Sequence, residues 1–239
     1  HGSLNISEAI TNSCNSFFYE MSYRMGTGTD GTFNSDLANE KMRTYAELYG
    51  LTEKSGIEIE ESSPQFSTDN AVPSAIGQGN HNYTTVGLAR YIATVANSGT
   101  CYNLSLLDKV TDHAGNLLED YTPEVRNTIE MPTSYWNAIH EGMHGVTENS
   151  SYFSDFEMET AGKTGTAEVT SLVPNHALFV GYAPYDDPEI AIAVRIGNGY
   201  SSGYSTQVGA KVFRYYFDLD EEDEIITGYA NIMEASGGD

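Results

Sequence analysis

The chain has 239 residues, and its 34 acidic and 11 basic residues give a formal net charge of −23 at neutral pH. So few cations argue strongly against nucleic acid as a partner, because binding to phosphates needs Lys and Arg to replace condensed counterions. No apolar run approaches the roughly 18 residues of a membrane span. The first five residues also lack the features of a signal peptide, so we expect any membrane anchor of the parent protein to lie outside this chain.

The first predicted element is helical and covers residues 6–25, where apolar side chains recur at helical spacing. Asn5, followed three residues later by Glu8, resembles a capping box at its start. Ser13 and Asn15 stand two residues apart, so on an unbroken helix their side chains would point about 200° apart. If both serve one site, the helix has to break there, and the polar residues around them favour such a break.

Further helices are predicted at 36–49, 85–97 and 134–146, the last of them weakened by Gly142 and Gly145. The pattern then changes to that of strands at 163–169, 176–182 and 189–196, and a closing helix is predicted at 205–217. Consecutive strands favour an antiparallel sheet. The sequence therefore predicts an α+β fold in which an antiparallel sheet is flanked by helices.

The end of the chain has a different composition. Six of the seven residues at 218–224 are acidic, which is typical of a solvated segment. We therefore predict two parts, a folded part at residues 1–217 and an acidic C-terminal tail at 218–239.

Two short motifs lie far apart in the chain. Ser13-Cys14-Asn15 is a Ser-x-Asn motif, and Lys163-Thr164-Gly165 opens a predicted strand. In this order they are two of the three motifs of serine acyl-transferases that react with penicillin. The third, Ser-x-x-Lys, carries the nucleophile and is absent, because none of the five lysines has a serine three positions before it. Those positions hold Ala38, Leu51, Leu106, Thr160 and Val208.

Together with Gly77-Gln78-Gly79 and the segments at 89–99 and 179–184, these motifs make the chain similar to a known family. Residues 1–217 resemble roughly the C-terminal two thirds of the transpeptidase domain of class B penicillin-binding proteins, most like those of Gram-positive bacteria. The resemblance implies the fold shared with serine β-lactamases. It also implies peptidoglycan D,D-transpeptidation, in which a serine is acylated by a D-Ala-D-Ala stem peptide or by a β-lactam.

The resemblance also implies roles for individual residues. Ser13, Asn15 and Lys163 are expected to be catalytic, with Ser13 passing a proton and Lys163 stabilising charge at its hydroxyl. Thr164, Gly165 and Thr166 are expected to bind the substrate carboxylate, with the Thr166 N–H as one oxyanion donor. Gly77, Gln78 and Gly79 are expected to support the floor of the site.

The expected partners are the peptidoglycan stem peptide, β-lactam antibiotics and a missing N-terminal part of the same protein that supplies the nucleophile. No cofactor or metal is expected, and the expected location is the extracytoplasmic face of the bacterial cell membrane. Two alternatives keep the same fold, a serine β-lactamase and a β-lactam or muropeptide sensor that does not turn over.

One motif indicates a different chemistry. His140-Glu141-Gly142-Met143-His144 matches the His-Glu-x-x-His pattern of zinc peptidases, in which both histidines share one face of a helix. The two nearby glycines weaken the helix that such a site needs, so two ordinary helix histidines are the favoured interpretation.

Overall fold

The computed structural model describes residues 1–170 and 172–219. The predicted tail therefore lies outside the described residues from position 220 onward. Among the described residues, no helix is long and apolar enough to cross a membrane. The helices are α1 (Ile6–Thr11), α2 (Asn15–Gly26), α3 (Ser35–Leu48), α4 (Ala71–Ser74), α5 (Thr85–Ala96), α6 (Thr133–Glu148) and α7 (Ser202–Tyr216). The strands are β1 (Thr100–Asn103), β2 (Lys109–Thr111), β3 (Leu117–Asp120), β4 (Glu124–Thr128), β5 (Ala161–Ala167), β6 (His176–Ala183) and β7 (Ile190–Ile196).

The predicted α+β fold is confirmed. β5, β6 and β7 form an antiparallel sheet with β6 in the middle. Successive side chains of a strand point to opposite faces, and β6 uses both faces for the core. Tyr182 packs in a cluster with α5 and α6, whereas Phe179 packs in a second cluster with α7. The sheet is therefore covered by helices on both faces.

The predicted helix break at Ser13 is also confirmed. α1 starts with the predicted capping box, since the Asn5 side chain accepts from the Glu8 N–H and the Glu8 carboxylate accepts from the Asn5 N–H. It ends in the paired bonds of a Schellman turn, from the Cys14 N–H to the Ala9 carbonyl and from the Ser13 N–H to the Ile10 carbonyl. α2 then begins at Asn15, with Cys14 as its N-cap residue.

Five short elements were not predicted. α4 has four residues, and β1 to β4 form two separate two-stranded sheets of three to five residues per strand. β3 is exposed along its whole length, so it has no buried face to produce an alternating pattern. Strands this short and this exposed carry too little hydrophobic periodicity to be recognised from sequence.

The glycines of α6 have a packing reason that the sequence did not show. The helix continues through Gly142 and Gly145 to Glu148, because the two glycines face α1. A Cβ at Gly142 would lie 2.8 Å from the Ser7 carbonyl oxygen, and one at Gly145 would lie 2.5 Å from Thr11 Oγ1. The glycines allow α1 to lie directly on α6.

We therefore predict that Gly142→Ala lowers the free energy of unfolding by about 1–3 kcal/mol, as overpacking usually does. In an exposed helix the same change would instead gain about 1 kcal/mol. Urea denaturation measures the difference, with Asn137→Ala at an exposed position of α6 as the control. Equal or greater stability of Gly142→Ala would show that α1 does not pack on this glycine.

Candidate active site

The two motifs meet in the folded chain. Lys163 Nζ donates hydrogen bonds to Ser13 Oγ at 2.9 Å and to the Thr164 carbonyl oxygen at 2.9 Å. Ser13 and Lys163 are 150 positions apart in sequence, so the fold and not the local chain creates this contact. The chemical result is a serine hydroxyl held directly against an amine.

Ser13 occupies an unusual backbone conformation. Its φ is +48°, in the left-handed region, at the position of the Schellman turn where glycine is the usual residue. A side chain there costs conformational free energy, and such strain is common where a functional group has to be aimed. Here the turn directs the hydroxyl at Lys163.

The docking of α1 on α6 holds this turn in place. Ser7 Oγ lies 2.9 Å from the Ala138 carbonyl and 3.0 Å from Glu141 Oε2, and Thr11 Oγ1 donates to the Gly142 carbonyl at 3.0 Å. α6 in turn packs on β5, the strand that carries Lys163. One continuous set of contacts therefore fixes the distance between Ser13 and Lys163.

The surroundings of Lys163 lower the affinity of its amine for a proton. Burial lowers the pKa of Lys163 below its ordinary value of 10.5, because the charged form loses solvation. Among the described residues it is the one Lys or Arg that lines the adjoining pocket. In a chain with a net charge of −23, this cation provides the local positive potential that an anionic ligand needs.

β5 presents Thr164, Gly165 and Thr166 beside Lys163, and all four residues line the pocket. On the other side of the strand, Gly165 pairs with Leu178 of β6. A Cβ at Gly165 would come no closer than 3.5 Å to Leu178, whereas one at Gly162 would come within 2.6 Å of Phe179. Packing therefore requires the glycine at 162 but not the one at 165.

The pocket has a volume of about 1140 Å³ and extends from Ser13 and Lys163 between α2, α5 and α6. Asn15 and Gln78 also line it, so six of the predicted site residues named above share one cavity wall with Ser13. Most of the remaining wall is apolar, and this apolar wall includes Tyr49, Tyr91, Val95, Ile139, Met143 and Val180.

Gln78 reaches the pocket at the end of a tight turn that follows α4. Gly77 and Gly79 have φ values of +82° and +90°, which only glycine adopts at little cost. A Cβ at Gly79 would also lie 2.8 Å from Ser67 Oγ. The two glycines thus shape the turn, while Gln78 supplies its pocket-facing side chain.

The two histidines of the His-Glu-x-x-His pattern contact backbone carbonyls. His140 Nε2 lies 3.0 Å from the Val95 carbonyl oxygen, and His144 Nδ1 lies 3.0 Å from that of Thr160. Within residues 1–170 and 172–219, no group of three His, Cys, Asp or Glu side chains could hold a metal ion. These contacts tie α6 to α5 and to the segment before β5.

Residues 1–218 match the model of the penicillin binding protein transpeptidase domain. The chain belongs to this family. It spans between 27% and 37% of the length of the first curated relatives that it matches.

Individual relatives agree with this assignment. Peptidoglycan D,D-transpeptidase MrdA of Haemophilus influenzae is 27% identical over 91% of this chain and 37% of its own length. The structure of penicillin-binding protein 2B from Streptococcus pneumoniae has 26% identity and a TM-score of 0.72, covering 90% of this chain and 40% of that one. Penicillin-binding protein A from M. tuberculosis, solved as an imipenem acyl-enzyme complex, superposes with a TM-score of 0.74 over 88% of this chain and 47% of its own. Its identity of 22% shows a shared fold alone.

Part of the pocket wall was not anticipated from sequence. Phe17 and Phe18 line it from α2, and Ser202 lines it from the first turn of α7. The aromatic pair carried a helical signal but nothing that indicated a pocket. Ser202 carried no signal, because its approach to β5 depends entirely on how α7 packs against the sheet.

The lowered pKa of Lys163 leads to a pH prediction. The unfolded chain holds the proton on this amine more tightly than the folded chain, so the contribution of Lys163 to the free energy of unfolding rises with pH up to about 10.5. Carbon-13 NMR titration of its ε-methylene group, assigned with Lys163→Met, should give a midpoint below 10.5. A midpoint at or above that value would show that burial does not control this amine.

Proposed function

We propose that this chain is the C-terminal part of a peptidoglycan D,D-transpeptidase domain that cross-links cell-wall stem peptides and is acylated by β-lactams. The observation that carries the proposal is the 2.9 Å hydrogen bond from Lys163 Nζ to Ser13 Oγ at the edge of a large pocket. In this proposal residues 1–217 belong to the domain, and residues 218–239 are an acidic tail.

The proposed reaction is acyl transfer through a serine ester. A serine hydroxyl, supplied by a segment N-terminal to this chain, attacks the carbonyl carbon between the two D-alanines of a stem peptide. The C–N bond breaks, the acyl group stays on the serine, and D-alanine leaves with a proton on its nitrogen. An amine of a second stem peptide then attacks the ester, and the serine recovers its proton.

Ser13 and Lys163 are proposed to move that proton. The Ser13 hydroxyl can accept a hydrogen bond from Lys163 while donating its own hydrogen to the leaving nitrogen. The amine at 2.9 Å stabilises negative character on Ser13 Oγ as the proton transfers. Asn15 lies two positions after Ser13, at the start of α2. The donors and the acceptor of its side-chain amide would hold the peptide amide of the substrate.

The strand beside Lys163 is proposed to bind the terminal carboxylate. Thr164 and Thr166 provide hydroxyl groups, and Lys163 provides the positive charge next to them. The absence of a side chain at Gly165, which β-sheet packing does not demand, would let the ligand approach the strand. The Thr166 N–H would be one donor to the oxyanion, and the N–H of the nucleophilic serine would be the other.

The apolar part of the pocket is proposed to receive the segment that carries the nucleophile. A helix with its side chains is about 10–12 Å wide and rises 1.5 Å per residue, so about 1140 Å³ corresponds to roughly two to three helical turns. Ser-x-x-Lys spans one such turn. A helix in this pocket would place its polar residues beside Ser13 and bury its other side chains against the apolar wall.

The proposed partners and location follow from this reaction. The substrates would be peptidoglycan stem peptides, with β-lactams as acylating mimics, as in the imipenem acyl-enzyme complex of the relative from M. tuberculosis. Peptidoglycan lies outside the cytoplasm, so the domain would work at the extracytoplasmic face of the membrane. The anchor would belong to a part of the protein beyond this chain.

Acylation kinetics test the proposal in a longer form of the protein that carries the N-terminal segment. Lys163→Ala should slow acylation by a fluorescent penicillin by at least about 100-fold, the scale of general acid–base catalysis. Lys109→Ala is the matched control, because Lys109 is exposed and pairs with the neighbouring Asp108. A Lys163→Ala rate within about twofold of the wild type would contradict the assignment.

Ser13→Gly separates the hydroxyl from the turn that presents it. Glycine adopts the φ of +48° more readily than serine, so this variant should fold at least as stably as the wild type. It should nevertheless lose acylation, since Lys163 has no hydroxyl to contact. Full acylation by Ser13→Gly would show that the turn, and not the side chain, is what the reaction needs.

The lifetime of the β-lactam adduct separates the proposed transpeptidase from the two alternatives, a β-lactamase and a sensor without turnover. A transpeptidase holds the β-lactam ester, whereas a β-lactamase would release it within seconds, and a sensor without turnover would bind reversibly with no ester. Intact-protein mass spectrometry of the longer form, followed for an hour after addition of a β-lactam, should therefore show a persistent covalent adduct. Rapid loss of the adduct would favour the β-lactamase.

A further inference from the structure

The ring of His81 lies at the centre of a hydrogen-bond network beside the Gln78 turn. Its Nδ1 lies 3.0 Å from the Ser67 backbone nitrogen and 2.8 Å from Tyr83 Oη. Its Nε2 lies 3.1 Å from the Ser74 carbonyl oxygen. The ring is half-buried and also contacts Phe66 edge-on, so its orientation is fixed from several sides.

These partners define the protonation state of His81. A backbone N–H can only donate, so the Ser67 N–H requires Nδ1 to be an acceptor without a hydrogen. Tyr83 then donates its hydroxyl hydrogen to the same nitrogen. The remaining ring hydrogen lies on Nε2 and is donated to the Ser74 carbonyl. The network is therefore satisfied by the neutral Nε2–H tautomer and by no other form of the ring.

The Ser74 carbonyl connects His81 to the turn that carries Gln78. The same oxygen accepts the Gly77 N–H at 3.0 Å, and the Gln78 N–H is bonded to the Pro73 carbonyl at 3.2 Å. Ser67 reaches the turn as well, through a 2.7 Å hydrogen bond between its hydroxyl and that of Ser74. His81 thus links two segments, since its Nδ1 contacts the segment at Ser67 and its Nε2 contacts the turn at Ser74.

We propose that neutral His81 is a positioning residue that ties the Gln78 turn to the Ser67 segment beside the pocket, and that protonation of its Nδ1 breaks this tie by removing the acceptor of the Ser67 N–H. A hydrogen on Nδ1 would face the Ser67 N–H, which can only donate, so that bond would be lost, whereas the Tyr83 hydroxyl can turn to accept from the ring. The effect on acylation rests on the proposed function, whereas the effect on the turn does not.

The charged and titratable groups around His81 set the pH range of this change. Among the described residues these are Tyr83, which burial keeps protonated, and Asp69, whose carboxylate favours a charged ring. Burial outweighs Asp69 and lowers the pKa of His81 below 6.5. The stabilisation from neutral His81 is therefore complete above about pH 6.5 and is lost as the pH falls through the lower value in the folded chain.

Nitrogen-15 NMR of this chain tests the tautomer and the turn without any activity. The His81 ring should give the Nε2–H pattern at pH 7.5. Protection of the Ser67 amide from hydrogen exchange, corrected for intrinsic rates, should fall about tenfold as the ring becomes protonated. The Nδ1–H tautomer, or protection that does not change with pH, would overturn the proposal.

Two variants separate the functions of the ring nitrogens. His81→Asn keeps an acceptor near the Nδ1 position and cannot be protonated, so its Ser67 amide should stay protected from pH 7.5 to 5. His81→Gln keeps a donor near the Nε2 position but loses the acceptor, so its Ser67 amide should be unprotected throughout. Equal behaviour of the two variants would show that Nδ1 has no special role.

Acylation in the longer form tests the consequence for the site. The wild type should lose about tenfold in penicillin acylation rate between pH 7 and 5 beyond the loss seen in His81→Asn. If the wild type is not acylated at any pH, the proposed function fails while the NMR result stands. If acylation occurs with identical pH profiles in wild type and His81→Asn, the positioning role is wrong.

Discussion

The hydrogen bond between Lys163 and Ser13 is the contact on which the site depends, and it is produced by packing over a long range. It exists because α1 ends in a left-handed turn at Ser13 and because α1 lies directly on α6. Close approach of these helices requires Gly142 and Gly145, and α6 then packs on the strand that carries Lys163. The weak helix formers in α6 are therefore part of what aligns Lys163 with Ser13.

Electrostatics explain why a single lysine can have so much influence in this chain. The excess of acidic residues makes the overall potential unfavourable for an anionic ligand, so affinity for a carboxylate has to come from local groups. Lys163 is half-buried, which lowers its pKa and strengthens its field by removing screening water. The hydroxyl groups of Thr164 and Thr166 lie along the same strand and supply directional bonds.

Much of the fold could be predicted because its major elements carry strong periodic patterns. The helix break at Ser13 followed from one geometric requirement, that Ser13 and Asn15 serve the same site. The short strands β1 to β4 could not be predicted, since each has only three to five residues and β2, β3 and β4 contain no buried residue. The roles of Gly142, Ser202 and His81 also escaped prediction, because each depends on a neighbour that only the folded chain brings close.

The site combines features that the motifs indicated with a pocket that they did not. Ser13, Lys163 and Gln78 line one cavity. Its apolar wall comes largely from helices whose sequence patterns indicated only ordinary core packing. In the function proposed above, a further helix, and not only a peptide, would occupy this apolar part of the cavity. In that function, the Lys163–Ser13 pair would be half of an active site that a serine from another segment completes.

The most direct measurement of this central claim is labelling of the 239-residue chain alone with a fluorescent penicillin, followed by a denaturing gel, with the longer form as the positive control. We expect no covalent label on the chain alone and a strong label on the longer form. A label on the chain alone that survives boiling would show that one of its own residues is the nucleophile, and would contradict the account.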